Sequence, residues 1–219
     1  MLTICCTSDL HGTLPTIPDC ELLLLAGDYN PRSKGQNWWM RDTFAPWLES
    51  ISARGISIIG VAGNHDYIFE KAPETLPALP WVYLQDKGHV YRAKDGRELI
   101  VYGSPWQPRF CDWAFNLDEP ELAKKWEAIP DCTDILLLHG PPKGCCDKTQ
   151  YKERIGSPSL LKRINEVRPK LVVCGHNHEG YGQVILKELA EPKRETRIVN
   201  CSHMDDDYRP VNPPIIIEL

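Results

Sequence analysis

The sequence has no apolar segment long enough to cross a membrane and no dense run of basic residues. The first absence excludes a transmembrane helix. The second absence, together with a net charge of -5, argues against a protein that coats nucleic acid. The short apolar start at residues 1–7 has no positively charged flank, so we expect no signal peptide. We therefore expect a soluble, cytoplasmic protein with no membrane partner and no stable nucleic-acid complex.

The metal-binding spacing Cys-x-x-Cys is also missing, although cysteine itself is abundant. The nine cysteines include no Cys-x-x-Cys, which argues against a structural zinc knuckle. Their odd number and the adjacent pairs at 5–6 and 145–146 fit a disulfide framework poorly. Cys5, Cys6 and Cys174 lie in apolar, strand-like runs. We expect buried, reduced thiols in a reducing compartment.

Short apolar runs alternate along the chain with stretches of helical character. The 219 residues contain no internal repeat, linker or low-complexity segment, and 42% of them are hydrophobic, so we predict one domain over residues 1–219. The apolar runs are typical of strands buried on both faces. Strands are predicted at 2–7, 21–26, 56–62, 81–84, 89–92, 99–102, 134–138 and 170–174, with about three more in 181–219. Helices are predicted at 36–53, 119–128 and 158–167.

This alternation of strands and helices predicts an α/β fold with its site at the carboxyl ends of the strands. The strand-rich middle and tail predict a second sheet packed on the first, which gives a two-layer β-sandwich flanked by helices. Pro46 is expected to break or restart the helix at 36–53. Ser157 is a good N-cap, and Pro158 suits the first position of the helix that follows.

Five short motifs carry side chains that can bind metal ions, and they contain five of the seven histidines. Four motifs directly follow an apolar run that indicates a buried strand, and the fifth follows a shorter run broken by Thr7 and Ser8. Because strand ends can meet at one edge of a sheet, ligands that are distant in sequence can form one cluster. The motifs are Asp9-Leu10-His11, Gly27-Asp28, Gly63-Asn64-His65-Asp66, His139-Gly140 and Gly175-His176-Asn177-His178.

Each motif alone is a weak signal, since a single histidine after a strand is more often a hydrogen-bonded core residue. Asp9 and His11 are two residues apart and would project from the same face if the strand continued. Asp28 has two carboxylate oxygens and can bridge two ions. Imidazole and carboxylate ligands together suit Zn, Fe, Mn, Ni or Co, and the lack of thiolate disfavours structural zinc. The candidate ligands are Asp9, His11, Asp28, Asn64, His139, His176 and His178.

Taken together and in this order, the motifs resemble those of the calcineurin-like metallophosphoesterase superfamily, over residues 9–178. Four further stretches resemble a subgroup, the small metallophosphoesterase-domain proteins classed with class III cyclic-nucleotide phosphodiesterases, and this similarity runs over nearly the whole chain. The stretches are YGSPWQP at 102–108, WAFN at 113–116, DILLLHGPP at 134–142 and GHNHEGYG at 175–182. The resemblance implies a four-layer α/β/β/α fold and a metal-dependent phosphoric ester hydrolase.

The resemblance also implies a role for each candidate. One ion would be held by Asp9, His11, Asp28 and His178, and the second by Asp28, Asn64, His139 and His176. His65 would bind phosphate or donate a proton, and Asp66 would orient it and raise its basicity. The expected cofactors are two divalent transition metal ions, with Mn as first choice and Fe, Zn, Ni, Co or Mg as alternatives. The second motif lacks an acidic residue that many members have a few positions later, and whether Arg32 reaches the site is left open.

The expected reaction is hydrolysis of small nucleotide phosphodiesters, such as 2′,3′- or 3′,5′-cyclic nucleotides, by a hydroxide that bridges the ions. The preference for diesters and for nucleotides comes from the resemblance and not from the ligand set. Asn64 and His65 are expected to contact the substrate. Trp106 is a candidate wall for a nucleobase or else a core residue, and Asn200 either lines the pocket or has an ordinary turn role.

Three other functions stay open at this point: a phosphomonoesterase, a nuclease, and a metal- or nucleotide-binding regulator with little turnover. The complete ligand set disfavours the regulator, and the lack of a basic track disfavours the nuclease. The sequence leaves the native metals, the physiological substrate, the oligomeric state and a cellular or viral origin undetermined.

Overall fold

Strands and helices alternate through the ranges that the computed structural model describes, which are residues 1–31, 34–187 and 195–219. The strands are β1 (Thr3–Thr7), β2 (Leu22–Leu25), β3 (Ser57–Gly60), β4 (Val82–Tyr83), β5 (Lys87–Arg92), β6 (Glu98–Ser104), β7 (Gln107–Pro108), β8 (Asn116–Leu117), β9 (Ile135–Leu138), β10 (Leu171–Cys174), β11 (Gly182–Lys187), β12 (Glu195–Asn200) and β13 (Ile215–Glu218). The α-helices are α1 (Gln36–Trp39), α2 (Ala45–Ser52), α3 (Tyr67–Lys71), α4 (Glu119–Glu127) and α5 (Pro158–Val167).

The strands form two large sheets and a small one. The first sheet has the order β13-β1-β2-β3-β4, in which β1 to β4 are parallel and β13 is antiparallel. The second sheet has the order β11-β12-β10-β9-β6-β5, with the four inner strands parallel and both outer strands antiparallel. The short strands β7 and β8 pair with each other. The parallel strands of each large sheet therefore present their carboxyl ends at one edge.

Apolar residues on alternate positions of each strand face two different cores. In β2, Leu22 and Leu24 join the cluster between the two sheets, while Leu23 and Leu25 join a cluster under the helical segment at 36–52. A third cluster packs α4 and α5 on the outer face of the second sheet. These three clusters produce the layer order helix, sheet, sheet, helix, so the predicted four-layer α/β/β/α fold is confirmed.

Most predicted elements agree with the observed bounds to within one or two residues. The predicted break at Pro46 is confirmed, because a π-helical turn at Met40–Phe44 separates α1 from α2 and Pro46 lies in the first turn of α2. Proline has no N–H to donate and its ring crowds the preceding turn, which accounts for the altered winding. Ser157 caps α5 by accepting a hydrogen bond from the Leu160 N–H at 3.2 Å, as predicted.

Two parts of the prediction were wrong or incomplete. The segment 67–80, for which the sequence predicts no strand or helix, begins with the short helix α3. The strands β7 and β8 were not predicted, because two-residue strands leave no periodic pattern in the sequence.

The predicted burial of Cys5, Cys6 and Cys174 is confirmed, and all nine cysteines are unpaired. Among the helices of the described ranges, none combines the length and apolarity needed to span a bilayer.

Candidate metal centre

The loops that follow the parallel strands bend sharply at the predicted ligands. Asp9, His11, Asp28 and His176 have left-handed backbone conformations, with φ of 52°, 40°, 57° and 67°. Such conformations cost non-glycine residues on the order of 1–3 kcal/mol and are concentrated at functional sites. The sequence analysis placed Asp9 and His11 on one face only if the strand continued through them. That continuation is wrong, because β1 ends at Thr7. These two side chains reach the site because the backbone turns.

Glycines in the motifs allow these loops to approach one another closely. A Cβ atom at Gly63 would lie 2.2 Å from the Asp28 Oδ1 atom and 2.7 Å from the His139 Cε1 atom. A Cβ atom at Gly175 would lie 2.2 Å from the Asp9 Oδ2 atom. Any side chain at either position would push the carboxylates out of place. Steric crowding therefore explains why glycine stands at the start of the third and fifth motifs.

The seven predicted ligands converge at the edge where the two sheets meet. A parallel bridge between Ser8 and Ser202 joins the sheets there. Three overlapping groups of side chains offer ligand atoms that lie within 4.8 Å of one another. These groups are Asp9, His11 and His178; His11, Asp28 and His65; and Asp9, Asp28 and His139. Asn64 joins the remaining histidine to the cluster, because its Oδ1 atom lies 2.7 Å from His176 Nδ1 and 2.8 Å from His139 Nε2.

Hydrogen bonds from the Nδ1 atoms fix the orientation of the His139 and His178 imidazoles. His139 Nδ1 lies 2.8 Å from the Ala26 carbonyl oxygen, and His178 Nδ1 lies 2.9 Å from the Asp205 carbonyl oxygen. A carbonyl can only accept, so both Nδ1 atoms donate and both Nε2 atoms face inward. His139 Nε2 is 3.4 Å from Asp28 Oδ2, and His178 Nε2 is 3.5 Å from Asp9 Oδ1. This arrangement, in which one nitrogen is anchored and the other is presented, is typical of histidines that bind metals.

The His11 ring provides a further test of whether a metal fits. Its Nε2 atom is buried and has no hydrogen-bond partner in the described part of the chain. It points toward Asp28, at 3.8 Å from Oδ2. A buried polar atom without a partner is costly and needs an explanation. A cation between His11 and Asp28 would satisfy both, so the donor set fits the two divalent ions that the sequence predicts.

The charges of the cluster are strongly coupled. Burial alone would lower the pKa of His139, but the adjacent Asp28 carboxylate raises it to about 9. The pKa of His178 is also raised, because Asp9 outweighs the effect of burial. Burial lowers the pKa of His11 to about 4 and that of His176 to about 3. Without metal, the cluster therefore holds a protonated His139 imidazole beside the ionised carboxylates of Asp9 and Asp28 at neutral pH.

Metal binding is therefore expected to release protons. A histidine binds a metal ion only when its imidazole is neutral, and His139 is protonated below its pKa of about 9. The affinity for Mn²⁺ should rise as the pH rises toward that value, by about tenfold per pH unit for each proton released. Calorimetric titration with Mn²⁺ at neutral pH, in two buffers of different ionisation enthalpy, measures the protons directly. We expect at least one proton per chain, and a value of zero would contradict the assignment of His139.

Asp66 has a different role from the one predicted. Its carboxylate accepts hydrogen bonds from the backbone N–H groups of residues 28–30 and of Gly63, at 2.8 to 3.1 Å, and from the Asn30 amide at 2.7 Å. No hydrogen bond of Asp66 in the described ranges reaches the His65 ring. The prediction that Asp66 orients His65 is corrected: the carboxylate instead ties the Asp28 loop to the Gly63 loop.

A cavity of about 650 Å³ opens above the cluster. Its wall includes both residues of the third motif that were predicted to contact the substrate, Asn64 and His65. Of the two roles left open for Trp106, the nucleobase wall is corrected in favour of the core residue. Its indole N–H donates to Asp86 Oδ2 at 2.9 Å, Lys125 lies over its ring, and the ring packs edge-on against Phe115. Trp106 is therefore a packing residue outside the described wall.

The prediction that Asn200 binds substrate is also corrected. Asn200 is fully buried, and its amide donates to the carbonyl oxygens of Gly175 at 3.2 Å and Asn177 at 2.8 Å. A third hydrogen bond reaches the Cys146 carbonyl at 3.3 Å. Asn200 thus holds the loop that carries His176 and His178. Arg32, whose reach the sequence left open, lies outside the described residues.

Sequence reasoning missed most of the cavity wall. Phe110, Trp113, Tyr151 and Tyr208 bring four aromatic rings to it, from three separate loops. Tyr208 lies edge-on to both His11 and His178, with ring centroids 4.8 and 5.0 Å apart. Trp113 belongs to the WAFN stretch noted in the sequence, which was the available signal. Tyr208 follows three aspartates and left no signal.

Comparison with protein families gives one broad match. A family model described as calcineurin-like phosphoesterase matches residues 2–180. The human and worm relatives are similar over most of this chain. Human "Metallophosphoesterase domain-containing protein 1" is 34% identical over 244 residues, which cover 98% of this chain and 70% of that protein. A UPF0046 protein of Caenorhabditis elegans is 37% identical over 242 residues, covering 98% of this chain and 58% of that protein.

Solved structures show the same fold at low sequence identity. One crystal structure superposes with a TM-score of 0.60 at 15% identity, covering 99% of this chain and 98% of the other. The protein TT1561 of Thermus thermophilus superposes with a TM-score of 0.54 at 16% identity, covering 91% of this chain and 88% of the other. At these identities the comparison supports the architecture alone.

Proposed function

The chain belongs to the calcineurin-like phosphoesterase family, and from this premise we propose that it is a phosphodiesterase acting on small nucleotide diesters. The family supports a metal-dependent phosphoric ester hydrolase with two metal ions. The proposal adds the substrate class, 2′,3′- and 3′,5′-cyclic nucleotides among them, and Mn²⁺ as the working metal. It also places the protein in the cytoplasm, a reducing compartment in which nine unpaired cysteines persist.

The observation that carries the proposal is the convergence of three ligand groups, in which Asp9, His11 and Asp28 each occur twice. The first candidate ion would be held by Asp9, His11, Asp28 and His178, and the second by Asp28, Asn64, His139 and His176. Two divalent ions held there would supply positive charge beside the phosphoryl oxygens and would lower the pKa of a coordinated water toward neutrality. The protein holds the carboxylates and imidazoles so that little rearrangement is needed during the reaction.

His65 is placed to act on the leaving oxygen. Its backbone N–H donates to Asp28 Oδ1 at 2.7 Å, and its carbonyl accepts from the Gln36 amide at 2.6 Å. The ring is half-buried, lies in the cavity wall and packs against the rings of Trp113 and His11. A ring held in this way can give a proton to the departing alkoxide.

The charge of the cavity wall favours a diester over a monoester. Beyond the metal cluster, Glu153, Glu179 and Asp206 line the described wall, where Arg109 is the one arginine or lysine. Arg109 already pairs with Asp118 at 2.8 Å. A diester carries one negative charge, whereas a monoester carries close to two at neutral pH and meets more repulsion. The same acidic wall disfavours a long single-stranded nucleic acid, and thus the nuclease alternative.

Parallel assays test the proposal. The Mn²⁺-loaded protein should hydrolyse bis-p-nitrophenyl phosphate and cyclic AMP isomers faster than p-nitrophenyl phosphate and AMP. A chelator-treated sample is the control and should be inactive on every substrate. A large preference for the monoesters would replace the proposal with a phosphatase. Metal-loaded protein that turns over no ester in a broad panel would support the regulator instead.

A further inference from the structure

A rigid aromatic surface stands beside the proposed proton donor. The Trp113 ring lies 4.5 Å from the His65 ring, centroid to centroid, and forms part of the cavity wall. Phe110 meets Trp113 edge-on, with centroids 5.3 Å apart, and is itself 59% exposed. The rings of Trp113, His65, His11 and Tyr208 follow one another with centroid distances of 4.5 to 4.9 Å, and His11 lies behind the described wall.

The loop that carries Trp113 is anchored to the metal loop. The Ala114 backbone N–H donates to the Asn64 carbonyl at 3.1 Å, so the segment next to Trp113 is fixed to a predicted metal ligand. The Gln107 amide donates to the Ala114 carbonyl at 2.8 Å. The Asn116 amide donates to the carbonyl oxygens of Phe110 and Cys111, at 3.0 and 3.2 Å. These contacts hold the indole at a set position relative to the cluster, without using the indole itself.

We propose that Trp113 is the stacking surface for the aromatic base of the substrate and sets the preference for nucleosides over small alkyl esters. This proposal rests on the proposed function, because it assumes that the phosphodiester lies at the metal cluster. A base attached to the leaving oxygen would then extend past His65 toward Trp113. A flat ring recognises every base through its π face, so the proposal covers a class of nucleotides and no particular base. The one charge that a diester carries also suits the acidic wall beyond.

Two substrates separate base stacking from chemistry at phosphorus. Adenosine 2′,3′-cyclic phosphate and glycerol 1,2-cyclic phosphate share the five-membered cyclic diester, and only the first has a base. Trp113→Leu keeps apolar bulk but loses the π face. In the Mn²⁺-loaded enzyme it should raise KM for the nucleotide about tenfold or more. The kinetics with the glycerol ester should stay within about twofold, because no stacking is lost there.

Two further variants serve as controls. Trp113→Phe should restore most of the nucleotide KM, because a smaller π face remains. Trp38→Leu removes a tryptophan that is 59% exposed on α1 and outside the described cavity wall, and it should change the kinetics with neither substrate. An equal loss of kcat on both substrates in Trp113→Leu would mean that Trp113 positions His65, and would overturn the stacking assignment. A loss confined to the nucleotide in Tyr208→Leu but not in Trp113→Leu would move the base to the other wall and also overturn it.

Failure of the proposed function gives a different result from failure of this inference. If the wild-type enzyme hydrolyses neither cyclic ester, the phosphodiesterase proposal fails. Calorimetric binding of 3′-AMP and of glycerol 2-phosphate to the Mn²⁺-loaded protein then tests Trp113 alone. We expect Trp113→Leu to weaken 3′-AMP binding about tenfold and to leave glycerol 2-phosphate binding unchanged. Equal affinities for 3′-AMP in the variant and the wild type would contradict the stacking role.

Discussion

Replacing Asp28 with asparagine is expected to lower kcat/KM for a cyclic nucleotide by about a thousandfold or more. The Asp28 carboxylate faces His139 at 3.4 Å and His11 at 3.8 Å, so it is the group that both candidate ion positions share. The amide has one oxygen and no charge, so it cannot bridge two cations. Losing metal-based stabilisation of the transition state costs several kcal/mol, and about 1.4 kcal/mol corresponds to each factor of ten in rate.

The asparagine variant is preferable to alanine because it preserves a structural contact. Oδ1 of residue 28 accepts the His65 backbone N–H, and the asparagine side-chain oxygen can do the same. Elemental analysis should find less than two metal ions per chain in Asp28→Asn. Asp42→Asn, which alters an exposed carboxylate paired with Arg41, is the matched control and should keep both ions. Full activity and two ions in Asp28→Asn would rule out a bridging role.

Replacing His65 with alanine is expected to lower kcat by about a hundredfold or more while both metal ions stay bound. General acid catalysis by a positioned side chain contributes about 10²–10⁴-fold, and we assign His65 that role and no metal. The loss should be large for cyclic AMP, whose leaving group is an alkoxide. It should be much smaller for bis-p-nitrophenyl phosphate, whose leaving group needs no proton.

The leaving-group comparison distinguishes a proton donor from a metal ligand. His65 lies near His11 and Asp28 in one of the three ligand groups, so a ligand role is the competing explanation. If His65 held a metal, His65→Ala would lose metal and would lose activity equally on both substrates. His89→Ala changes a histidine on β5, outside the described cavity wall, and should match the wild type.

The fold was predictable because its signals are local. Runs such as residues 22–25 and 135–138 are entirely apolar, and such runs are required by strands buried on both faces. Pro46 and Ser157 mark helix boundaries through their own backbone chemistry. The convergence of the seven candidate ligands was predictable for a related reason, because parallel strands bring their carboxyl ends to one edge. Their binding of metal stays a prediction.

The details that sequence reasoning missed depend on contacts between distant segments. Trp106 and Trp113 are seven positions apart, and nothing local reveals which one faces the cavity. The Trp106 indole is held outside the cavity by a hydrogen bond to Asp86 and by the Lys125 ammonium over its ring. Trp113 faces the cavity because its loop is anchored at Asn64. The turn at Asp9, with φ of 52°, is likewise invisible in an Asp-x-His pattern that fits a continuing strand.

The predicted roles of Asp66 and Asn200 failed for a similar reason. Both side chains lie near the cluster in sequence or in space, and both are polar, which is all that a motif records. In the fold, the Asp66 carboxylate and the Asn200 amide form hydrogen bonds with backbone groups, and these bonds fix the shape of the loops. A buried polar side chain next to a site often supports the loops around it, because unpaired backbone groups there would be costly.

An anomalous difference map of Mn²⁺-soaked crystals, recorded at the manganese edge, tests the central claim most directly. We predict two peaks per chain, about 3.5–4 Å apart. One peak should contact Asp9, His11 and His178, the other should contact Asn64, His139 and His176, and both should touch Asp28. A single peak, or two peaks of which neither contacts Asp28, would contradict the two-ion site.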